Sequence, residues 1–105
     1  MNQDILNKMK IARSEDSRKM TISDKFVKLM EEIGEISRAH SKELGHKKRE
    51  PGESMQDVRK NKKEEYADAL IVILDMILAD KFTFEEVTEE MHNGIDKWYS
   101  NTINA

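Results

Sequence analysis

Two stretches, read together, decide the fold: Lys28-Leu-Met-Glu-Glu-Ile-Gly-Glu-Ile-Ser-Arg-Ala39 and Glu64-Glu-Tyr-Ala-Asp-Ala-Leu-Ile-Val-Ile-Leu-Asp-Met76. Each sets a pair of carboxylates three residues apart, Glu32/Glu35 and Glu65/Asp68, inside a run of helical periodicity. On an α-helix, side chains at i and i+3 are neighbours on one face. Like charges so placed cost a few tenths of a kcal/mol. Two such pairs beside apolar residues point to a divalent cation that offsets the repulsion, and so to a metal-dependent enzyme acting on a phosphorylated small molecule.

Working outward from the first pair, Ile22, Phe26, Leu29, Met30, Ile33 and Ile36 form one stripe at about 100° per residue, continuing to His40 and Leu44. A helix is predicted from near Thr21–Ser23, where hydroxyls can cap it, to the stop at Gly45. Lys25 and Lys28 share a flank with Glu32 and Glu35, and Glu31 projects opposite the stripe. Around the second pair a helix is predicted over 57–80. From Ala69 to Ala79 it is apolar all round except for Asp75, so it must be covered on most sides. Three other short helices cover it only in part, which predicts an obligate oligomer. Asp75 among aliphatic neighbours needs a partner, either a structural hydrogen bond or the substrate.

Ile5, Met9 and Ala12 predict a short helix over 4–13, followed by a polar connection at 14–20. Thr83 and Glu86 form a capping box for a last helix over 84–99, with a stripe of Phe84, Val87, Met91, Gly94, Ile95 and Trp98 and a frayed tail after it. Between the acid pairs, Gly45, Pro51 and Gly52 exclude a helix before about Met55. Lys47, Lys48, Arg49, Arg59, Lys60, Lys62 and Lys63 there outnumber Glu50, Glu53 and Asp57. That segment is either a solvated loop or a basic flap over an anionic substrate.

The chain of 105 residues is read as one domain, all-α, a four-helix chain forming a helical bundle completed by homo-oligomerisation. One Pro and four Gly fit short turns between helices. Zero Cys excludes disulfides and thiolate metal sites and fits a cytoplasmic location. Met1-Asn-Gln-Asp shows no basic or apolar leader region, so no secretory signal is expected. The Ala67–Ala79 run is too short to span a bilayer, so no membrane association is expected. A net charge of −3 argues against attraction to a nucleic acid polymer.

Carboxylates without His or Cys at matching spacing give an all-oxygen ligand set, which selects Mg²⁺ first and Mn²⁺ next. Such a site can bridge phosphoryl oxygens and acidify a bound water, with one metal or two. Glu31 is the spare acid to accept a proton from that water. The bland alternative is that all four acids are surface residues on amphipathic helices. A ferritin-like di-iron bundle needs two Glu-x-x-His motifs on helices. Glu43/His46 straddles Gly45 and Glu89/His92 faces away from its stripe, so that reading is rejected. His40, on the apolar stripe, reads as a core or interface histidine.

Glu32-Ile-Gly-Glu35 followed by Glu65-Tyr-Ala-Asp68 and an apolar run resembles the MazG-like nucleoside triphosphate pyrophosphohydrolases of the all-α pyrophosphatase superfamily, over about residues 22–99. The resemblance implies a helical bundle completed as a homodimer or a dimer of dimers. It also implies Mg²⁺-dependent hydrolysis of a (deoxy)nucleoside triphosphate to monophosphate and pyrophosphate, as in nucleotide house-cleaning. Carried over, Glu32, Glu35, Glu65 and Asp68 are the metal ligands; the catalytic candidates are Glu35 and the spare acid Glu31, which the resemblance does not supply. Lys28, Asp75, Asn93 and Lys97 are the substrate-binding candidates. Trp98 either packs in the core or stacks on a base. The competing functions are a non-catalytic helical module that binds a partner or nucleotide, and a phosphoribosyl-ATP-type pyrophosphatase.

Overall fold

A computed structural model describes residues 2–16, 18 and 20–104. They form four helices, α1 Gln3–Glu15, α2 Ile22–Glu43, α3 Met55–Ala79 and α4 Phe84–Ile103, and no strand occurs among the described residues. The local chemistry of each start is explicit. Thr21 with Asp24, Ser54 with Asp57 and Thr83 with Glu86 each close a reciprocal capping box, satisfying otherwise unpaired amides. The chain leaves α2 through Gly45 and turns again at Gly52, both at positive φ (81° and 80°), a conformation that costs glycine little. Lys81 takes the same left-handed conformation (φ 69°) after α3, where its amide and that of Phe82 bond back to Leu78 and Ile77.

The helix over 84–99 extends to Ile103, so the segment expected to fray is one further turn of α4. The Asn104 amide bonds to the Ser100 carbonyl at its end.

The backbone of the fold is an antiparallel α2–α3 hairpin. Its register is legible in its polar contacts, which descend α2 as they ascend α3. Glu43 meets Arg59 and Lys62, Glu32 meets Glu65 and Asp68, and Lys25 meets Asp75, while Lys42 ties to Glu53 in the connecting loop. Between these rungs the helices approach over small or compact side chains, with Ala39, Val58 and Ala69 buried. α1 and α4 each pack on α3, and neither packs on α2.

The expected α2 stripe divides into two faces. Ile22, Leu29, Ile36 and Ala39 turn towards α3, with Lys25 and Glu32 among them, while Phe26, Met30 and Ile33 stay outside, Met30 being 68% exposed. The apolar band is wider than one neighbouring helix can cover, so half of it has no cover within the chain. Trp98 is likewise outside any core, at 72% exposed: α4 packs on α3 and meets α1 at Phe84, while every residue from Met91 to Ser100 is exposed. The radius of gyration is 17.2 Å, against about 13 Å for a compact domain of this length. One chain alone leaves much of its apolar surface uncovered.

Candidate metal centre and the cleft beside it

Glu32 projects from the inner face of α2, opposite Glu65 and Asp68 on α3. One carboxylate oxygen from each lies within 4.8 Å of the others. Glu32 is 8% exposed, Glu65 is half-buried and Asp68 is open to solvent, so the group has a protein-facing floor and a wet mouth. Three of the four acids expected to converge therefore do so. Glu35, one turn after Glu32, is exposed and outside this tight group, yet its charge still reaches Glu65. Burial, then the charges of Asp68, Glu32, Glu35 and Glu64, push the Glu65 carboxyl above its ordinary value.

Cations border the group on one side. Lys28 Nζ lies 3.2 Å from the buried Glu32 and 3.9 Å from the exposed Glu31, both on α2. Further along α2, Lys25 is largely buried and donates to Asp75, whose other oxygen accepts from Arg13 of α1 at 2.8 Å. Burial raises the Asp75 carboxyl, but the hydrogen bonds from Lys25 and Arg13 outweigh it and hold the group below its usual range. Both Asp75 oxygens are thus engaged within the chain, in the structural hydrogen-bond role that was one of its two expected readings. Arg13 had no signal in the sequence beyond the demand of Asp75 for a partner, because the docking of α1 is a tertiary event.

The same residues line a cleft of about 470 Å³ between α1, α2 and α3. Its apolar wall is Met9, Ala12, Met20, Ile71 and Val72; its charged lining is Arg13 and Lys25 paired with Asp75, Arg18 paired with Asp16, and Lys28. Lys28 belongs to the cleft and to the acidic group at once, so the two are neighbours across a single ion pair. The volume is that of a small-molecule site, and the lining combines an apolar wall with a few placed charges.

The remaining candidates lie elsewhere. Asn93 lines a shallow depression with Leu6, Phe84 and His92, where α4 passes α1, and Lys97 is exposed one turn on. Because α4 does not pack on α2, neither residue is delivered to the acids by its own chain. The basic segment is not a flap over the acids. Arg59 and Lys62 pair with Glu43, and Lys62 Nζ lies 2.9 Å from His40 Nδ1. Arg59, Lys60, Lys63 and Tyr66 line an outward surface of α3, round the helix from the side that Glu65 and Asp68 present to α2.

Three carboxylates at this separation could hold a metal ion, and a donor set without nitrogen or sulfur suits a hard cation better than a soft one. No helix among the described residues is long and apolar enough to cross a membrane. No family model matches the chain, and no curated protein or solved structure matches it.

Proposed function

We propose that this chain is a Mg²⁺-dependent pyrophosphohydrolase of (deoxy)nucleoside triphosphates, of the MazG-like kind its acid pairs resemble, working as a homo-oligomer in the cytoplasm. The observation that carries the reading is the convergence of Glu32, Glu65 and Asp68 beside a cleft of nucleoside size. A resident Mg²⁺ neutralises phosphoryl oxygens and makes water a better nucleophile.

The chain's own residues do the rest. Glu32, Glu65 and Asp68 hold the ion, with Glu35 one turn away to widen the ligand set. Lys28 exchanges its pairing with Glu32 for a phosphate oxygen once the acids are neutralised. The apolar wall of Met9, Ala12, Ile71 and Val72 takes the organic half of the substrate. The Arg13–Asp75–Lys25 link fixes the wall against the phosphate end. Water adds to the α-phosphorus and gives up its proton to Glu35, exposed one turn after Glu32, or to Glu31, exposed and sharing Lys28 with Glu32. The bond from that phosphorus to the bridging oxygen breaks, and pyrophosphate leaves.

The test is a panel of nucleoside and deoxynucleoside triphosphates incubated with Mg²⁺ and read as released pyrophosphate. Absence of release from every member, with Mn²⁺ tried as well, refutes the proposal. The exposed apolar surface of α4 favours a second reading, a non-catalytic module that binds a partner. Glu35→Gln and Asp68→Asn separate the two. They abolish turnover with the oligomer intact under the first reading, and barely alter metal affinity under the second.

A further inference from the structure

At the end of the cleft far from the acids, hydrogen-bonding capacity is lopsided. A recess of about 130 Å³ there is lined by Arg13, Asp16, Arg18, Lys25 and Asp75, with Met20 beside them. Both Asp75 oxygens are taken, one by Arg13 and one by Lys25. Both Asp16 oxygens are taken as well. Arg18 Nε lies 3.0 and 3.1 Å from them, Nη2 lies 2.7 Å from the second, and the Arg18 amide donates to the first at 2.9 Å. These bonds hold the Asp16 carboxyl down at a pKa of about 2, so it stays ionised at neutral pH and keeps its grip on Arg18.

A guanidinium carries five N–H donors in a rigid fork. Asp16 occupies the side of the Arg18 fork, through Nε and Nη2. The end of the fork, one N–H on each of Nη1 and Nη2, has no partner among the described residues. The recess therefore has donors to spare, while both of its carboxylates are engaged. Three cations around two carboxylates leave it a net charge of only +1, so it offers directed hydrogen bonds more than a field for a polyphosphate.

Its position fits a base. Lys25 and Asp75 stand seven residues from Glu32 and Asp68 on their respective helices, a rise of about 10 Å. Lys28 and the apolar wall lie between. A nucleotide whose α-phosphate sits at the acids, with its sugar and ring along the wall, brings the edge of its base to Arg18. The 6-oxopurines guanine and hypoxanthine present N7 and O6 side by side, two acceptors that the end of a guanidinium meets in one bidentate contact. Adenine and cytosine present an amino donor, which would face these cations unpaired. Uracil and thymine present a single acceptor there.

We propose that this cleft selects 6-oxopurine nucleotides, with Arg18, buttressed by Asp16, donating to O6 and N7 of the base. The inference rests on the pyrophosphohydrolase reading above and names its preferred substrate class.

The experiment uses the full chain and its Arg18→Lys, Arg18→Ala and Asp16→Asn variants. Binding of GMP, IMP, AMP, CMP, UMP and pyrophosphate in Mg²⁺ is measured by isothermal titration calorimetry, and kcat/KM for the five corresponding triphosphates. Arg18 is exposed and lies outside the helices, so far-UV circular dichroism should be unchanged. The parent should favour guanine and hypoxanthine over adenine and cytosine by at least about tenfold in both measurements. Arg18→Lys keeps the charge and loses the fork, so it should lose most of that preference with AMP affinity unchanged, and Arg18→Ala should lose all of it. Asp16→Asn should erode the preference in the parent and change nothing further in Arg18→Ala. Turnover without a preference, or a preference that survives Arg18→Ala, overturns the assignment and leaves the hydrolase standing. Pyrophosphate affinity that falls in Arg18→Ala as far as GMP affinity shows the fork gripping phosphate and overturns it too. An Arg18-dependent preference in binding with no turnover of any triphosphate supports the base site and refutes the hydrolase. Neither binding nor turnover refutes both.

Discussion

Replacing Glu65 with glutamine should change the sign of its effect on stability when Mg²⁺ is added. In the metal-free chain, Glu65 shares a space with Glu32 and Asp68 in which carboxylate oxygens lie within 4.8 Å. Two unit charges at that separation repel by about 3 kcal/mol at the effective dielectric near a protein surface. Water at the open Asp68 side and the Lys28 ammonium 3.2 Å from Glu32 reduce this, leaving about 1 kcal/mol of net strain on ionised Glu65. Glu65→Gln removes it, so in chelator the variant should be the more stable by about 1 kcal/mol, or about 4 °C in Tm for a chain of this size. Mg²⁺ at about a hundred times its dissociation constant stabilises the parent by about 2.7 kcal/mol. The variant, short of one ligand, gains little, and the order should reverse with the parent ahead by about 1.5 kcal/mol. Thermal melts followed by far-UV circular dichroism, in EDTA and across a Mg²⁺ titration, read this directly. Curves that keep the same order in both conditions, or a parent indifferent to Mg²⁺, would show that these acids do not form a cation site.

Asp75→Ala removes the Arg13 anchor of α1 and strands the mostly buried Lys25 ammonium of α2, so it should cost about 2–3 kcal/mol in urea denaturation. A double-mutant cycle with Arg13→Ala should return about 1 kcal/mol of coupling, and none at all would mean the pair does not hold α1. Without metal, lowering the pH from neutral should first raise Tm. The Glu65 carboxyl titrates above its ordinary value in the fold, so the folded state takes up the proton first and gains stability as the pH falls through that range. Further acidification should lower Tm, because Asp75 titrates below its ordinary value and its contribution disappears as the pH falls through its folded pKa. A Tm that climbs steadily from acid to neutral pH in EDTA contradicts this, and saturating Mg²⁺ should suppress the acid-side rise. Lys81→Gly relieves a left-handed backbone at a residue with a side chain and should stabilise the chain by about 1 kcal/mol by urea melt; a destabilised variant would mean that the Lys81 side chain matters more than its backbone.

Helix number, the starts at Thr21 and Thr83 and the stop at Gly45 follow from short-range chemistry, because caps and turns are settled within four residues of chain. The pairing of Glu32 with Glu65 and Asp68 was also legible, since each pair marks one helix face and two such faces in one chain can meet. Glu35 shows the limit of that logic. It shares a helical face with Glu32, but it lies exposed and outside the tight group. Asn93 and Lys97 show it more strongly, because periodicity places them on α4 and says nothing of where α4 lies.

The sequence by itself determined four helices, their caps, and an all-oxygen set of acids, for these are properties of residues at fixed short spacings. Only the tertiary structure decided which half of the α2 stripe is buried, that Arg13 and Lys25 satisfy Asp75, and that the cleft opens beside Lys28. Those outcomes depend on the register and rotation of helices joined by turns, and a periodic pattern leaves both free until the side chains pack.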